Sequence, residues 1–328
     1  MASMLAFTAG DRAPAAGPRR PGAAEFGLLA PIIADPEVTD VFVNGGEVWA
    51  DRGAGLERRP ALALGADETR ALAVRLIGLA GRHVDESSPC VDARLGDGMR
   101  VHVVLPPVAP LGPLVSIRLP SLEPWSLDAL DAAGFFPDRT RMRIAALVAD
   151  RRNVLVSGAA GAGKTTLLSA MLGLAPPSER IVVIEDVGEI RVSHPHLVSL
   201  ETRQANLEGA GGIGLARLVR EALRMRPDRL VLGECRGEEI RELLTALNTG
   251  HDGGAGTIHA NSLADVPARL EALGALAGLG PEAIGRLASS ALHAVVHVER
   301  GPSGRRVAGI GRPVLDRSGR LVIEMDGP

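Results

Sequence analysis

The chain has 328 residues, 46% of them hydrophobic, which suits two globular domains and excludes a disordered protein. A formal net charge of −3 argues against a protein whose main task is holding nucleic acid, where a basic excess is the rule. Two cysteines, Cys90 and Cys235, stand far apart without metal-ligand spacing, so neither a disulfide framework nor a zinc site is expected.

Residues 1–24, rich in Ala, Gly, Pro and Arg, read as a disordered tail without the pattern of a signal peptide. An N-terminal α+β domain is expected over 25–120. Val38–Asn44 and Val48–Asp51 around Gly45-Gly46 predict a hairpin. Asp67 is a candidate cap for a helix with the stripe Leu72, Leu76, Leu79, ending at Gly81. Val101–Leu105 and Val115–Leu119 predict further strands. The longest uncharged run, Val101–Ile117, carries four prolines in 17 residues, which rules out a membrane helix. Residues 121–137, with Pro124 and Gly134, read as a linker with room for a short helix. A soluble, intracellular protein is the expectation.

Over 138–328 the pattern changes to alternating strands and helices. Helical period marks Arg139–Asp150, Thr165–Leu174, and the stripes Leu215, Leu218, Val219, Ala222 and Ile240, Leu243, Leu244, Leu247. Apolar strands are expected at Val154–Ser157, Ile181–Ile184 and Arg229–Gly233. Such alternation predicts an α/β fold with a mostly parallel central sheet. Ala294–Val298 and Arg305–Ile310 predict a late hairpin.

Between a strand and a helix, Gly158-Ala159-Ala160-Gly161-Ala162-Gly163-Lys164-Thr165 matches G-x-x-x-x-G-K-[ST], followed by Thr166. Glycines let backbone N–H groups curl around phosphate oxygens at a helix N-terminus. Lys164 is the single lysine among 36 basic residues, as expected where arginine cannot substitute. It is expected to reach the terminal phosphates of ATP, and Thr165 to offer its hydroxyl to Mg²⁺. Glu185 and Asp186 close the next strand. They are placed to hold Mg²⁺ or orient water, or one of them caps a turn. Leu230–Gly233 ends at Glu234, an acid suited to act as general base or to orient water. His251 and His259 flank a glycine loop and are candidates for sensing the γ-phosphate or linking to a neighbouring subunit. His194 and His196 read as a solvated turn.

With these motifs, Leu223–Arg229, Gly233-Glu234-Cys235-Arg236-Gly237 and Asn248–Asn261 resemble the secretion ATPase superfamily of type II and type IV secretion and type IV pili. The nearest likeness is to the Tad/Flp pilus-assembly branch, CpaF/TadA-like. It extends to Asp35–Asp40, Val43-Asn44-Gly45, Val91–Leu95 with Asp97-Gly98, and Ser116-Ile117-Arg118, and so covers residues 26 to 300. The resemblance implies a hexameric ring of subunits, each with a PAS-like N-terminal domain and a RecA-like core, with ATP between them. It gives Glu234 the activation of water, Glu185 and Asp186 an aspartate box, and His251 and His259 a histidine box. It brings Arg94 and Arg118 toward the phosphates and makes Arg203, before Glu208-Gly209, a further motif arginine. Such a ring works on the cytoplasmic face of the inner membrane, passing its motion to platform proteins. Three departures stand out: Leu119 replaces a basic residue, Cys235 follows Glu234, and Arg305–Arg312 lacks an expected Glu. The four-cysteine module of type II members is missing, so no zinc is expected. The alternative load is that of a type IV secretion or conjugation ATPase. A RecA-like nucleic-acid motor is disfavoured by 2% aromatic content without tyrosine, and a non-hydrolysing nucleotide switch by Glu234.

Overall fold

The computed structural model describes residues 22–53, 55–120, 124–137, 139–203, 211–301 and 304–325, the side chain of Asp97 excepted. The chain divides into two compact units, residues 1–122 and 123–328. Most of the expected tail, the first residues of the expected linker, and Gln204–Gly209 with the Glu208-Gly209 motif lie outside the described residues.

The first unit is a six-stranded antiparallel sheet in the order β3-β2-β1-β6-β5-β4. The strands are β1 (Asp40–Asn44), β2 (Glu47–Asp51), β3 (Leu56–Arg58), β4 (Cys90–Leu95), β5 (Met99–Val104) and β6 (Leu114–Arg118). Gly45 (φ 56°) and Gly46 (φ 97°) make the β1–β2 turn, whose twist requires positive φ at both central positions. Alternation puts Val41, Val43, Val101, Val103, Val115 and Ile117 on the buried face. There they join Leu72, Leu76 and Ile77 of helix α2 (Ala66–Leu79) and Phe26 and Leu29 of the opening helical turns. Those turns start at Ala23, before the expected end of the tail, and continue as α1 (Ala30–Ile33). Asp67 is not the cap of α2. Gly65 takes that position, its N–H donating to Glu68 at 2.7 Å, and Asp67 sits in the first turn, where a carboxylate favours the helix dipole.

The second unit carries an eight-stranded sheet, β14-β13-β12-β7-β11-β10-β8-β9. Its strands are β7 (Val154–Gly158), β8 (Ile181–Glu185), β9 (Leu197–Glu201), β10 (Arg229–Cys235), β11 (Ala255–His259), β12 (Ala294–Gly301), β13 (Gly304–Leu315) and β14 (Leu321–Met325). The six from β12 to β9 run parallel, and β13 and β14 add antiparallel partners. β7, β8 and β11 are buried almost throughout, with side chains going to both faces. Leu155, Val182 and Ile184 pack with α6 (Leu215–Leu223), α7 (Glu239–Leu247), α8 (Val266–Leu276) and α9 (Pro281–Ala291). Val154 and Val156 face α4 (Thr140–Ala149) and α5 (Lys164–Leu172), together with Leu127 and Leu130 of α3 (Leu127–Ala132).

The sequence reading assigns no element to β3, β4, β9, β14, α1, α8 or α9. β9 is an edge strand, only half-buried. α8 mixes Ala, Gly and Leu without a polar stripe, and its period is faint. The expected linker contains α3, capped by Ser126, whose hydroxyl accepts from Ala129 N–H.

At the amino ends of the parallel strands lies a buried ionic knot. Arg229, 3% exposed, donates to Glu179 at 2.5 Å, and Arg151 donates to the other oxygen of the same carboxylate at 2.5 Å. Arg151 also reaches the carbonyls of Asp228 and Asp252. Removing one member strands a buried charge. Glu179→Ala should therefore destabilise the second unit by about 3–5 kcal/mol in urea unfolding. A loss typical of an exposed pair, below about 1 kcal/mol, would show that water reaches Arg229 freely.

Candidate active site

Register decides which side chains meet. β7 pairs with β11 so that Gly158 stands opposite His259. β10 lies on the other side of β11, with Cys235 opposite Ile258. The carboxyl ends of these strands form one edge, where a parallel sheet opens its crevice.

β7 runs into Gly158, where an added Cβ would lie 2.3 Å from the Val298 carbonyl oxygen. Gly161 (φ 69°) and Gly163 (φ 103°) hold left-handed conformations that a side chain resists. Gly163 precedes α5 without any side-chain cap, so the first N–H groups of the helix face the loop. Ala159, Ala160 and Gly161 are exposed, Ala162 is buried, and Thr165 and Thr166 are half-buried. Lys164 is buried, and its Nζ donates to the carbonyls of Gly158 (3.1 Å) and Ala159 (2.9 Å). The same ammonium lies 3.4 Å from His259 Nδ1.

Glu234 sits on β10 where pairing with β11 slips between Leu232 and Cys235. Only glycine fits at 233, because a Cβ would fall 2.6 Å from Glu185 Cγ. Thr257 Oγ1 donates to the Gly233 carbonyl at 2.6 Å and pins the irregularity, which re-aims the next side chain. Glu234 Oε1 then lies 2.5 Å from His259 Nε2, and Oε2 accepts from Arg236 at 2.5 Å. Burial pushes the Glu234 carboxyl upward. The Arg236 hydrogen bond and the charges of Arg236, His259 and Lys164 outweigh that and hold it below its ordinary value. Burial first, then Lys164, keeps the His259 imidazole below its ordinary value despite Glu234. A neutral ring with its hydrogen on Nε2 suits both neighbours: N–H toward the carboxylate, lone pair toward the ammonium. Oε1 of Glu234 is buried, and His259 Nε2 is its close polar neighbour.

The remaining candidates divide. Glu185 is 4% exposed, and its carboxylate accepts the N–H groups of Glu189 (3.0 Å) and Ile190 (3.0 Å). This is the turn-capping geometry that the sequence leaves open. Asp186 is half-exposed, with Oδ2 3.8 Å from Arg236 Nη1. His251 lies beyond the amino end of β11, its ring bonded to the Ala246 carbonyl, and so at the far end of the strand from His259. Arg203 leaves the carboxyl end of β9, four strands from β7, or about 19 Å across the sheet. In the first unit, Arg94, Arg100 and Arg118 are lateral neighbours on β4, β5 and β6. Asp40 of β1 stands opposite Arg118 and continues the row with a carboxylate.

The sequence reading misses three residues. Arg100 becomes visible only through strand register. Arg236 is quoted there without a role, yet it bridges toward Glu234 and Asp186. Arg305, on β13, donates its Nε–H to the Gly161 carbonyl at 2.8 Å and has no acidic partner among the described residues. No local motif signals a contact made across 144 positions.

A mostly parallel sheet with a glycine loop, a lysine and a strand-end glutamate at its carboxyl edge defines a RecA-like α/β core. The solved structure of the Legionella pneumophila ATPase DotB shares the fold, with a TM-score of 0.57 and 21% identity over 88% of this chain and 76% of that one. Residues 59–302 match the family model "Type II/IV secretion system protein", and the chain belongs to that family. A Mycobacterium tuberculosis protein named for conjugal transfer is 47% identical over 287 residues, covering 85% of this chain and 82% of the relative. The type IV secretion system protein PtlH homolog of Bordetella bronchiseptica is 34% identical over 276 residues, 75% of this chain and 80% of the relative.

Burial, reinforced by Glu189 and Glu201, pushes the Glu185 carboxyl up to about 7 from 4.5, against the pull of its two N–H donors. Between those values the folded state holds a proton that the unfolded state releases. Raising pH through that window therefore removes stability. Across that window the wild type should lose about 3 kcal/mol of unfolding free energy, measured in urea, relative to Glu185→Gln. Parallel curves would mean that Glu185 ionises in the fold as it does in water.

Proposed function

We propose that this chain is an ATP-hydrolysing motor of a type IV secretion or conjugation-type export machine. The observation that carries the reading is the meeting of Lys164, His259 and Glu234 beside a G-x-x-x-x-G-K-T loop. In this reading the loop Gly158–Thr166 binds the phosphates through backbone N–H groups, and Lys164 exchanges its loop carbonyls for phosphate oxygens. Glu234 takes a proton from the attacking water. His259 stands between base and lysine, where it registers the charge of the terminal phosphate. Mg²⁺ fits the donors present: the Thr165 hydroxyl in the first turn of α5, and half-exposed Asp186. Glu185, already bound to the following turn, is the less suited of the two acids. When bound, the ion neutralises phosphate charge. Among the described residues no cluster of three His, Cys, Asp or Glu side chains offers a metal site of its own.

Arg94 and Arg118 keep the phosphate-directed role that the resemblance gives them, and register adds Arg100 to the row. Arg203 and His251, distant from the loop of their own chain, suit contacts to a neighbouring subunit. The first unit, a sheet with helices on one face, serves as the PAS-like module of that scheme. We place the assembly as a hexameric ring at the cytoplasmic face of the membrane, acting on platform proteins. Among the described residues no helix is long and apolar enough to cross a membrane. The names of the similar proteins, from conjugation and type IV secretion, favour that load. Tad/Flp pilus assembly rests on motif likeness alone and stands second.

Mg²⁺-dependent ATP hydrolysis measured across protein concentration tests the reading. Specific activity should rise with oligomer formation. Lys164→Ala should lose nucleotide binding. Glu234→Gln should bind ATP and hydrolyse it about 10²–10⁴-fold more slowly. Full activity in a verified monomer would overturn the ring. ATP binding without hydrolysis in the assembled ring would make the protein a switch.

A further inference from the structure

Behind the phosphate loop lies a buried polar pair that catalysis does not use directly. Ser157, the residue before Gly158, is fully buried on β7. Its hydroxyl stands 2.9 Å from Nδ1 of His297 on β12, which is 4% exposed. The two are register partners on adjacent parallel strands. The backbone of Asn261, two residues past His259, is the polar neighbour that draws the His297 ring toward its charged form. One imidazole thus bonds to the strand entering the phosphate loop and is drawn electrostatically by the backbone of the segment leaving β11.

The chemistry of the ring fixes its form. Burial keeps His297 below its ordinary value, outweighing the pull of Asn261, Glu299 and Asp265, with Lys164 adding to the downward side. A neutral ring accepts a hydrogen bond from the Ser157 hydroxyl at Nδ1 and turns its own N–H toward the Asn261 backbone. Both polar ends are then satisfied, as a buried group requires. An aliphatic side chain would fill the space and hold neither neighbour.

We infer that His297 is a positioning residue that couples the phosphate loop to His259, setting where that ring stands against Lys164 and Glu234. The inference rests on the ATPase reading for its catalytic consequence, but the coupling is a property of the fold. It assigns the C-terminal strand β12 a part in aligning the site. Positioning of this kind acts on turnover more than on binding, because a displacement near 1 Å at the reacting groups suffices to slow chemistry.

The test compares His297→Leu, His297→Gln and Ser157→Ala in the full chain. Hydrogen exchange is followed over 157–164 and 258–263, with ATP affinity and turnover measured separately. In His297→Leu both segments should exchange at least about tenfold faster while the rest of the sheet keeps its protection. Turnover should fall about tenfold or more, with ATP affinity within about twofold. Glutamine, which carries an acceptor and a donor, should restore most of both. If His297→Leu does not fold, Ser157→Ala cuts the same link and should loosen 258–263 although it lies on another strand. Unchanged exchange in that segment, uniform loosening of the whole sheet, or a glutamine variant as slow as leucine would each overturn the inference. Should the wild type never hydrolyse ATP, the ATPase reading fails by itself, and exchange alone still decides the coupling.

Discussion

Parallel pairing of β7 with β11, with Gly158 opposite His259, is the constraint on which the site depends. In this register Val154, Val156, Ala255 and Ile258 all lie in the core. That register places the start of the phosphate loop beside the end of the histidine strand without any contact made for the purpose. β10 enters on the far side of β11, and its slip at Gly233 supplies the local departure from regularity. The rigid part of the sheet thus brings the strands together, and one irregular step turns Glu234 toward them.

Electrostatics then decides what the cluster can do. Lys164, Arg236 and Arg305 bring positive charge to one edge, while Glu234 is the carboxylate caught among them. Lys164 spends its donors on loop carbonyls, which are weaker partners than phosphate oxygens. Arg236 holds Glu234 ionised, as a proton acceptor must be. The imidazole of His259 stands between the acid and the lysine, close to both. The edge therefore gathers three cations around one carboxylate, with the Lys164 ammonium held by two loop carbonyls.

What was legible in the sequence was what is local. The loop from Gly158 to Thr165 is contiguous, and its glycines, lysine and flanking apolar strand can be read without neighbours. Glu234 was legible as an acid closing an apolar run, but the slip at Gly233 was not, since it exists only relative to β11. Glu185 and Asp186 look equivalent in sequence. Burial and two N–H donors commit Glu185 to the turn and leave Asp186 toward solvent. His251 and His259 are near in sequence, yet a five-residue strand sends them to opposite ends of the sheet. Arg100 was hidden because a row across three strands has no signature along any one of them. Asp67 misled because Asp favours both the cap and the first turn, and Gly65 with Glu68 took the cap instead.

The C-terminal strands are more than a late hairpin. β12 continues the parallel sheet beside β7, and β13 folds back antiparallel along it. The Val298 carbonyl excludes any side chain at Gly158, and Arg305 holds the Gly161 carbonyl. Through Phe135, whose carbonyl accepts from Val307, the segment before α4 joins the same wall. A phosphate loop made of glycines is floppy by composition and gains definition only from what surrounds it. Here one flank is β11 and the other is the hairpin, so residues more than 130 positions downstream of the motif define its shape. The glycines make the loop possible, and the distant strands make it a single conformation.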